Sequence, residues 1–222
     1  MTLSNESRAR EDICRVGKSL FDRGYVHATA GNISMRLDDG FLITPTDACL
    51  GLLDPAKLAK LDVSARQASG DKASKTIALH LRIYSASAPF SNAASCIIHT
   101  HSTHCVALTL QSAGAELLPA LTPYFVMKVG RVPVISYHRP GSADAALEVA
   151  HTITRYGERA TPIRAVMLAR LGPSVWAASS LGAMAVLEEL EETAKLACLQ
   201  PNTAPLTDAQ IDELRQTFGA TW

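Results

Sequence analysis

Apolar residues recur at helical spacing near the start of the chain. Ile13, Val16, Leu20 and Phe21 follow Ser4 and Asn5, either of which can cap a helix, and Gly24 supplies a stop. The period then shortens. Asn32–Leu37 and Phe41-Leu42-Ile43 flank Asp38-Asp39-Gly40, which reads as a β-hairpin because Gly40 can take the positive φ that such a turn needs. Thr44-Pro45-Thr46 breaks the second strand. A short segment over 54–61 and a turn at Ser69-Gly70-Asp71 lead into a helix from 74 to about 88, with Ser74 as its N-cap and Ile77, Leu81 and Tyr84 on one face. Cys96-Ile97-Ile98-His99 reads as a short buried strand, and residues 102–110 as the helix after it. Residues 165–169 and 174–178 read as strands around a turn at Leu171-Gly172-Pro173. A long helix covers Ser180–Leu199, and its acidic positions Glu188, Glu189, Glu191 and Glu192 read as a solvated face or an oligomer contact. After a linker at 201–205, Thr207 caps a last helix that runs to Phe218.

At 222 residues and 47% hydrophobic, the chain can bury a sizeable core, and without repeats or low-complexity tracts it reads as one domain over 1–222. Lys plus Arg and Asp plus Glu both number 21, so the net charge of zero argues against a nucleic-acid or anionic membrane partner and for a small-molecule one. No apolar run approaches the roughly 20 residues of a membrane span. The polar start lacks the apolar centre of a signal peptide, so a cytoplasmic location is expected. Five scattered cysteines, Cys14, Cys49, Cys96, Cys105 and Cys198, form no Cys-x-x-Cys pair and read as buried free thiols.

The candidate chemistry concentrates at His99-Thr100-His101. Residues two apart on a strand point to the same side, so both imidazoles can converge on one ion. Zinc takes four ligands, and the pair alone is incomplete; an isolated His-x-His more often hydrogen-bonds to loop backbone. His104 can stand behind such a site. A second signal is a set of small polar residues suited to a phosphate: Gly31-Asn32, Thr44-Pro45-Thr46 and Ser74-Lys75, the last at a helix start where free N–H groups and a cation attract anions. Singly, each is ordinary turn and cap chemistry.

The order of these features carries more. Thr29-Ala30-Gly31-Asn32-Ile33-Ser34, Gly40-Phe41-Leu42-Ile43-Thr44-Pro45-Thr46, Leu79-His80 with Tyr84, and Ile98-His99-Thr100-His101-Ser102 resemble the class II aldolase and adducin family over nearly the whole chain. Within that family, Leu121-Thr122-Pro123-Tyr124, Gly130-Arg131-Val132-Pro133 and Arg139-Pro140-Gly141 resemble the branch of 3-oxo-tetronate 4-phosphate decarboxylases. The resemblance implies a three-layer αβα fold of the α/β class with a central, mainly antiparallel sheet, a homotetramer, and zinc or another divalent metal as cofactor. It implies a carbon–carbon lyase acting on a phosphorylated sugar acid and releasing dihydroxyacetone phosphate. The alternatives are a sugar-phosphate aldolase of the fuculose-phosphate type, or a silent member that keeps an anion pocket for binding or assembly. By the same resemblance His99 and His101 match two metal ligands, and Asn32, Thr46, Ser74 and Lys75 match phosphate-binding positions.

Two positions depart from the family pattern. Where it places a glutamate that is both ligand and acid/base, this chain has Thr76; where it places a third histidine, this chain has Arg170-Leu171-Gly172. Asp47 stands where relatives more often have Gly or Asn. Neither threonine nor leucine replaces the missing ligand, so the sequence leaves three possibilities. His80 or His104 could act as a substitute ligand, Lys75 and Arg170 could supply positive charge in place of the metal, or the chain could be inactive.

Overall fold

Alternation along the strands divides the interior into two layers of side chains. In a computed structural model, which describes residues 4–110 and 114–222, Ile97, Val166 and Trp176 face one side of the sheet and their chain neighbours Ile98, Met167 and Val175 the other. The helices are α1 (Asn5–Asp22), α2 (Ile77–Ser87), α3 (Thr103–Leu108), α4 (Ala143–Glu158), α5 (Ser180–Leu199) and α6 (Asp208–Phe218). The strands are β1 (Asn32–Leu37), β2 (Gly40–Ile43), β3 (Ala59–Asp62), β4 (Gln67–Ser69), β5 (Cys96–His99), β6 (Val134–Ile135), β7 (Ala165–Leu168) and β8 (Gly172–Ala177). They form one sheet in the order β4-β3-β2-β1-β5-β8-β7-β6, in which only the β6–β7 pair is parallel. Leu79, Ile83 and Tyr84 of α2 and Val149 and Ile153 of α4 pack on one face; α1, α3, α5 and α6 cover the other. This is the three-layer αβα arrangement with a mainly antiparallel sheet that the family resemblance implies.

Several boundaries follow the sequence signals. Ser4 caps α1 by accepting from the Ser7 N–H, and Thr207 and Gln210 form a reciprocal capping box at α6. Other signals misplace an element. Ser74 does not cap α2: the helix starts at Ile77 with Thr76 as N-cap, the Ser74 hydroxyl is engaged by Thr76, and the Ser74 N–H donates to the Thr44 carbonyl, which holds residues 72–75 against the end of β2. The buried face of α2 is Leu79, His80, Ile83 and Tyr84, while Ile77 and Leu81 are half-buried. The turn between β7 and β8 is residues 169–171, since Gly172 and Pro173 already pair with Leu168 and Met167. Helix α4 was carried by an unread signal, Ala146, Val149 and Ile153 behind Ser142.

The acidic positions of α5 are not one solvated face. Glu191 is only 4% exposed; its carboxylate accepts from the backbone N–H groups of His104 and Cys105 and pairs with His104 Nδ1. Glu188 pairs with Arg23, and Glu192 accepts from the Tyr25 hydroxyl. All five thiols are free, but only Cys96 and Cys105 are buried, and Cys198 is exposed on the last turn of α5. Among the described residues no helix is long and apolar enough to cross a membrane.

Candidate active site

The register of the central strands places the candidate residues. Asn32 opens β1 directly opposite His99, which closes β5, and Ser174 of β8 lies on the other side of His99. Backbone bonds extend this edge: Thr46 N–H donates to Lys72 O, Pro45 bridges Ala73, and Ser74 N–H donates to Thr44 O. Two segments about thirty residues apart thereby bring Thr46 beside Ser74 and Lys75.

A cavity of about 360 Å³ opens at this end of the sheet, and Asn32, Thr46, Ser74, Lys75, His99 and His101 all line it. The six residues singled out in the sequence therefore meet in one place. Asn32 and Ser74 are buried, Lys75 is exposed, and the Asn32 side-chain oxygen has no hydrogen-bond partner. Carbonyl and amide ends of asparagine are interchangeable by a flip, so this unpaired end can meet either a donor or an acceptor on a bound molecule. Asp47, beside them, is exposed with a φ of 57°.

His99 is 2% exposed. Its Nδ1 lies 2.9 Å from the Pro173 carbonyl, an acceptor only, so Nδ1 carries the proton and Nε2 the lone pair. Burial pushes the His99 pKa down to about 3, with His101 adding to the shift and the Pro173 carbonyl opposing it. β5 ends at His99, so the simple strand argument does not bring His101 to the same side. The following corner does, and the two rings stand 5.2 Å apart at 70°. His101 is half-buried and its pKa is also lowered, first by burial and then by His27, whose ring lies 6.5 Å away. Both imidazoles are neutral near neutral pH.

Two contacts hold that corner. Gly172, at a φ of 142°, packs so closely that a Cβ would lie 1.9 Å from the Thr100 carbonyl oxygen, so only glycine fits. The Glu191 carboxylate holds the two backbone N–H groups that open α3 immediately beyond it.

The donor set does not fit a three-ligand zinc centre. Thr76 and Leu171 line the same cavity as the imidazole pair, and among the described residues no three His, Cys, Asp or Glu side chains stand together so as to hold a metal. Neither substitute ligand serves. His80 is fully buried, with Nδ1 on the Ser34 hydroxyl and Nε2 unpaired, and His104 is engaged by Glu191; neither lines the cavity. Arg170 does not line it either, although Ala169 and Leu171 on either side do; it sits at a φ of 62° with its N–H donating to the Thr109 hydroxyl.

The sequence reading missed the wall made by the β6–α4 connection. Ser136, His138, Arg139 and Ser142 line the cavity, and His138 Nε2 bonds Glu148 Oε2 at 2.8 Å. The signal was present in Arg139-Pro140-Gly141, a turn motif read only as a mark of kinship.

Residues 11–198 match the family described as Class II Aldolase and Adducin N-terminal domain. The chain is 50% identical to a 3-oxo-tetronate 4-phosphate decarboxylase of Cupriavidus necator, over 99% of this chain and 100% of that protein. It is 40% identical to the protein of that name from Escherichia coli K12, over 95% of this chain and 96% of the relative. The crystal structure of YgbL from Escherichia coli superposes with a TM-score of 0.84 at 37% identity, over 96% of this chain and 100% of that one.

Proposed function

The chain belongs to the class II aldolase and adducin family, and from that premise we propose that it is a carbon–carbon lyase that decarboxylates a 3-oxo-tetronate 4-phosphate to dihydroxyacetone phosphate. The observation that carries this reading is the meeting, in one cavity, of an anion cradle (Asn32, Thr46, Ser74, Lys75) and two neutral imidazoles (His99, His101). A phosphate in the cradle sets the reacting carbons beside the imidazoles.

In the proposed reaction the C1–C2 bond breaks heterolytically. Carbon dioxide leaves, the electron pair becomes the C2–C3 double bond, and charge collects on the C3 oxygen. The product forms when water delivers a proton to C2. A neutral imidazole has one N–H to give, so His101 donates to the C3 oxygen as its charge develops. His99, with its lone pair on Nε2, accepts from the C2 hydroxyl. Leu168, Ala169 and Leu171 form an apolar wall, which favours the change from a carboxylate to uncharged carbon dioxide. His99 and His101 are also the two positions at which a divalent ion would be held, but the residues around them do not complete a zinc centre.

The test is dihydroxyacetone phosphate formation from freshly generated 3-oxo-tetronate 4-phosphate. A rate above the spontaneous loss of carbon dioxide supports the reading, and a rate equal to it rejects the reading. We also propose a cytoplasmic homotetramer. Exposed Leu52, Tyr124, Leu199 and Phe218 are large apolar side chains of the kind that assembly covers, and light scattering measures the oligomer directly.

A further inference from the structure

Charge in the cavity is divided between its two ends. On the β1–β2 side stands Lys75, and on the β6–β7 side Arg139, with the imidazoles of β5 and its following corner between them. Neither cation has an ion-pair partner among the described residues. Asp144, at the start of α4, forms no ion pair with Arg139 among the described residues, and Glu148, one turn further on, is already engaged by His138 Nε2, the Ser136 hydroxyl and the Ser136 N–H.

The backbone beneath Arg139 is braced. Arg139-Pro140-Gly141-Ser142 closes with the Ser142 N–H on the Arg139 carbonyl at 3.1 Å, and Gly141 has a φ of 74°. Proline at the second position and a positive-φ glycine at the third are what a type II turn requires. The Glu148 contacts pin the same connection to α4. Arg139 is thus an exposed, unpaired cation at a fixed corner of the cavity, beside the apolar wall of Leu168 and Leu171.

We propose that Arg139 reads the carboxylate of the substrate and so selects molecules that carry an anion at both ends, phosphate on the Lys75 side and carboxylate on its own. This rests on the phosphate placement of the preceding subsection and extends it to the opposite wall. A guanidinium offers two parallel donors to a carboxylate, which suits it to this task better than a lysine. The pairing acts before the bond breaks, because the carboxylate charge leaves C1 as carbon dioxide forms. Arg139 is therefore a specificity-determining residue whose loss raises KM far more than it lowers kcat.

The test uses two stable ligands that differ only at the far end, a tetronate 4-phosphate and the corresponding tetritol 4-phosphate, titrated calorimetrically. The wild-type chain is expected to prefer the acid by about tenfold, as a charge-assisted pair affords. Arg139→Gln is expected to bring that ratio close to one with tetritol phosphate binding unchanged, and Lys75→Gln to weaken both ligands alike. Because Arg139 is exposed on a turn, its replacement leaves the melting curve in place, which circular dichroism checks. Equal wild-type affinity for the two ligands overturns the inference and leaves the phosphate reading intact. A preference that survives Arg139→Gln, or an equal loss for both ligands, overturns it as well. Failure of the wild type to bind either ligand removes the phosphate reading, and the inference with it.

Discussion

The Nδ1–H of His99 donates to the carbonyl of Pro173 at 2.9 Å. A bond from the neighbouring strand thereby fixes the tautomer and leaves Nε2 as the nitrogen with chemistry to offer. Asparagine can imitate the Nδ1–H but has nothing in place of Nε2. His99→Asn is therefore expected to lower the decarboxylation rate by about tenfold or more, as the loss of one hydrogen bond that orients the substrate does, while the thermal midpoint moves only slightly. A variant of near wild-type rate would remove His99 from the reaction.

The two-imidazole donor set predicts weak metal retention. Purified from zinc-containing medium and dialysed, the wild-type chain is expected to hold well under one zinc per chain by mass spectrometry. The double variant Thr76→Glu with Leu171→His adds a carboxylate and an imidazole at two positions that line the same cavity, and is expected to approach one per chain. Full zinc occupancy in the wild type contradicts this account of the site.

His80 makes stability depend on pH. Its pKa is pushed down to about 3, chiefly by burial and then by His99, whereas an unfolded histidine titrates near its ordinary value of 6.5. Below that value the unfolded chain takes up a proton that the folded chain refuses. The stabilisation is complete above the unfolded pKa and is lost as pH falls from there toward the folded one. His99 acts in the same direction. Denaturant unfolding from pH 7 to pH 4 should show a falling free energy. His80→Gln is expected to reduce the slope by about 1 kcal/mol per pH unit, and an unchanged slope would show that His80 is protonated in the fold.

Glu191 predicts a cost at a residue that does not itself line the cavity. Glu191→Ala leaves the N–H groups of His104 and Cys105 without their acceptor in a buried place. The expected loss is about 2–4 kcal/mol, read as a lower denaturant midpoint at constant m-value. The release of the corner that carries His101 is expected to lower kcat as well.

The parts of the site that were legible in the sequence were those carried by local chemistry. Asn32 and His99 are strand termini, recognisable from the apolar runs they bound, and Thr46 follows the proline that ends β2. Ser74 looked like a helix cap because serine before an apolar run commonly is one; in the fold its backbone joins the edge beside Thr44 and its hydroxyl meets Thr76, and the helix begins after it. Glu191 looked like surface because it shares α5 with Glu188, Glu189 and Glu192. Only a partner 87 residues away, at the start of α3, gives it an interior role. Arg170 and Arg139 were equivalent as letters, and only the fold decides that Arg139, on the β6–α4 connection, lines the cavity while Arg170, in the middle of the β7–β8 turn, does not.

β5, which ends at His99, lies in the sheet between β1 and β8. Its second neighbour begins at Gly172, and the carboxylate that steadies the next corner is at 191. During synthesis β5 can pair with β1 early, but its other side remains an open edge until the last quarter of the chain emerges, with Ile97 and Ile98 still to be covered. A chain stopped short of β8 therefore carries every residue that lines the cavity, through Leu171, yet presents an unpaired, adhesive edge of β5 in place of a finished site.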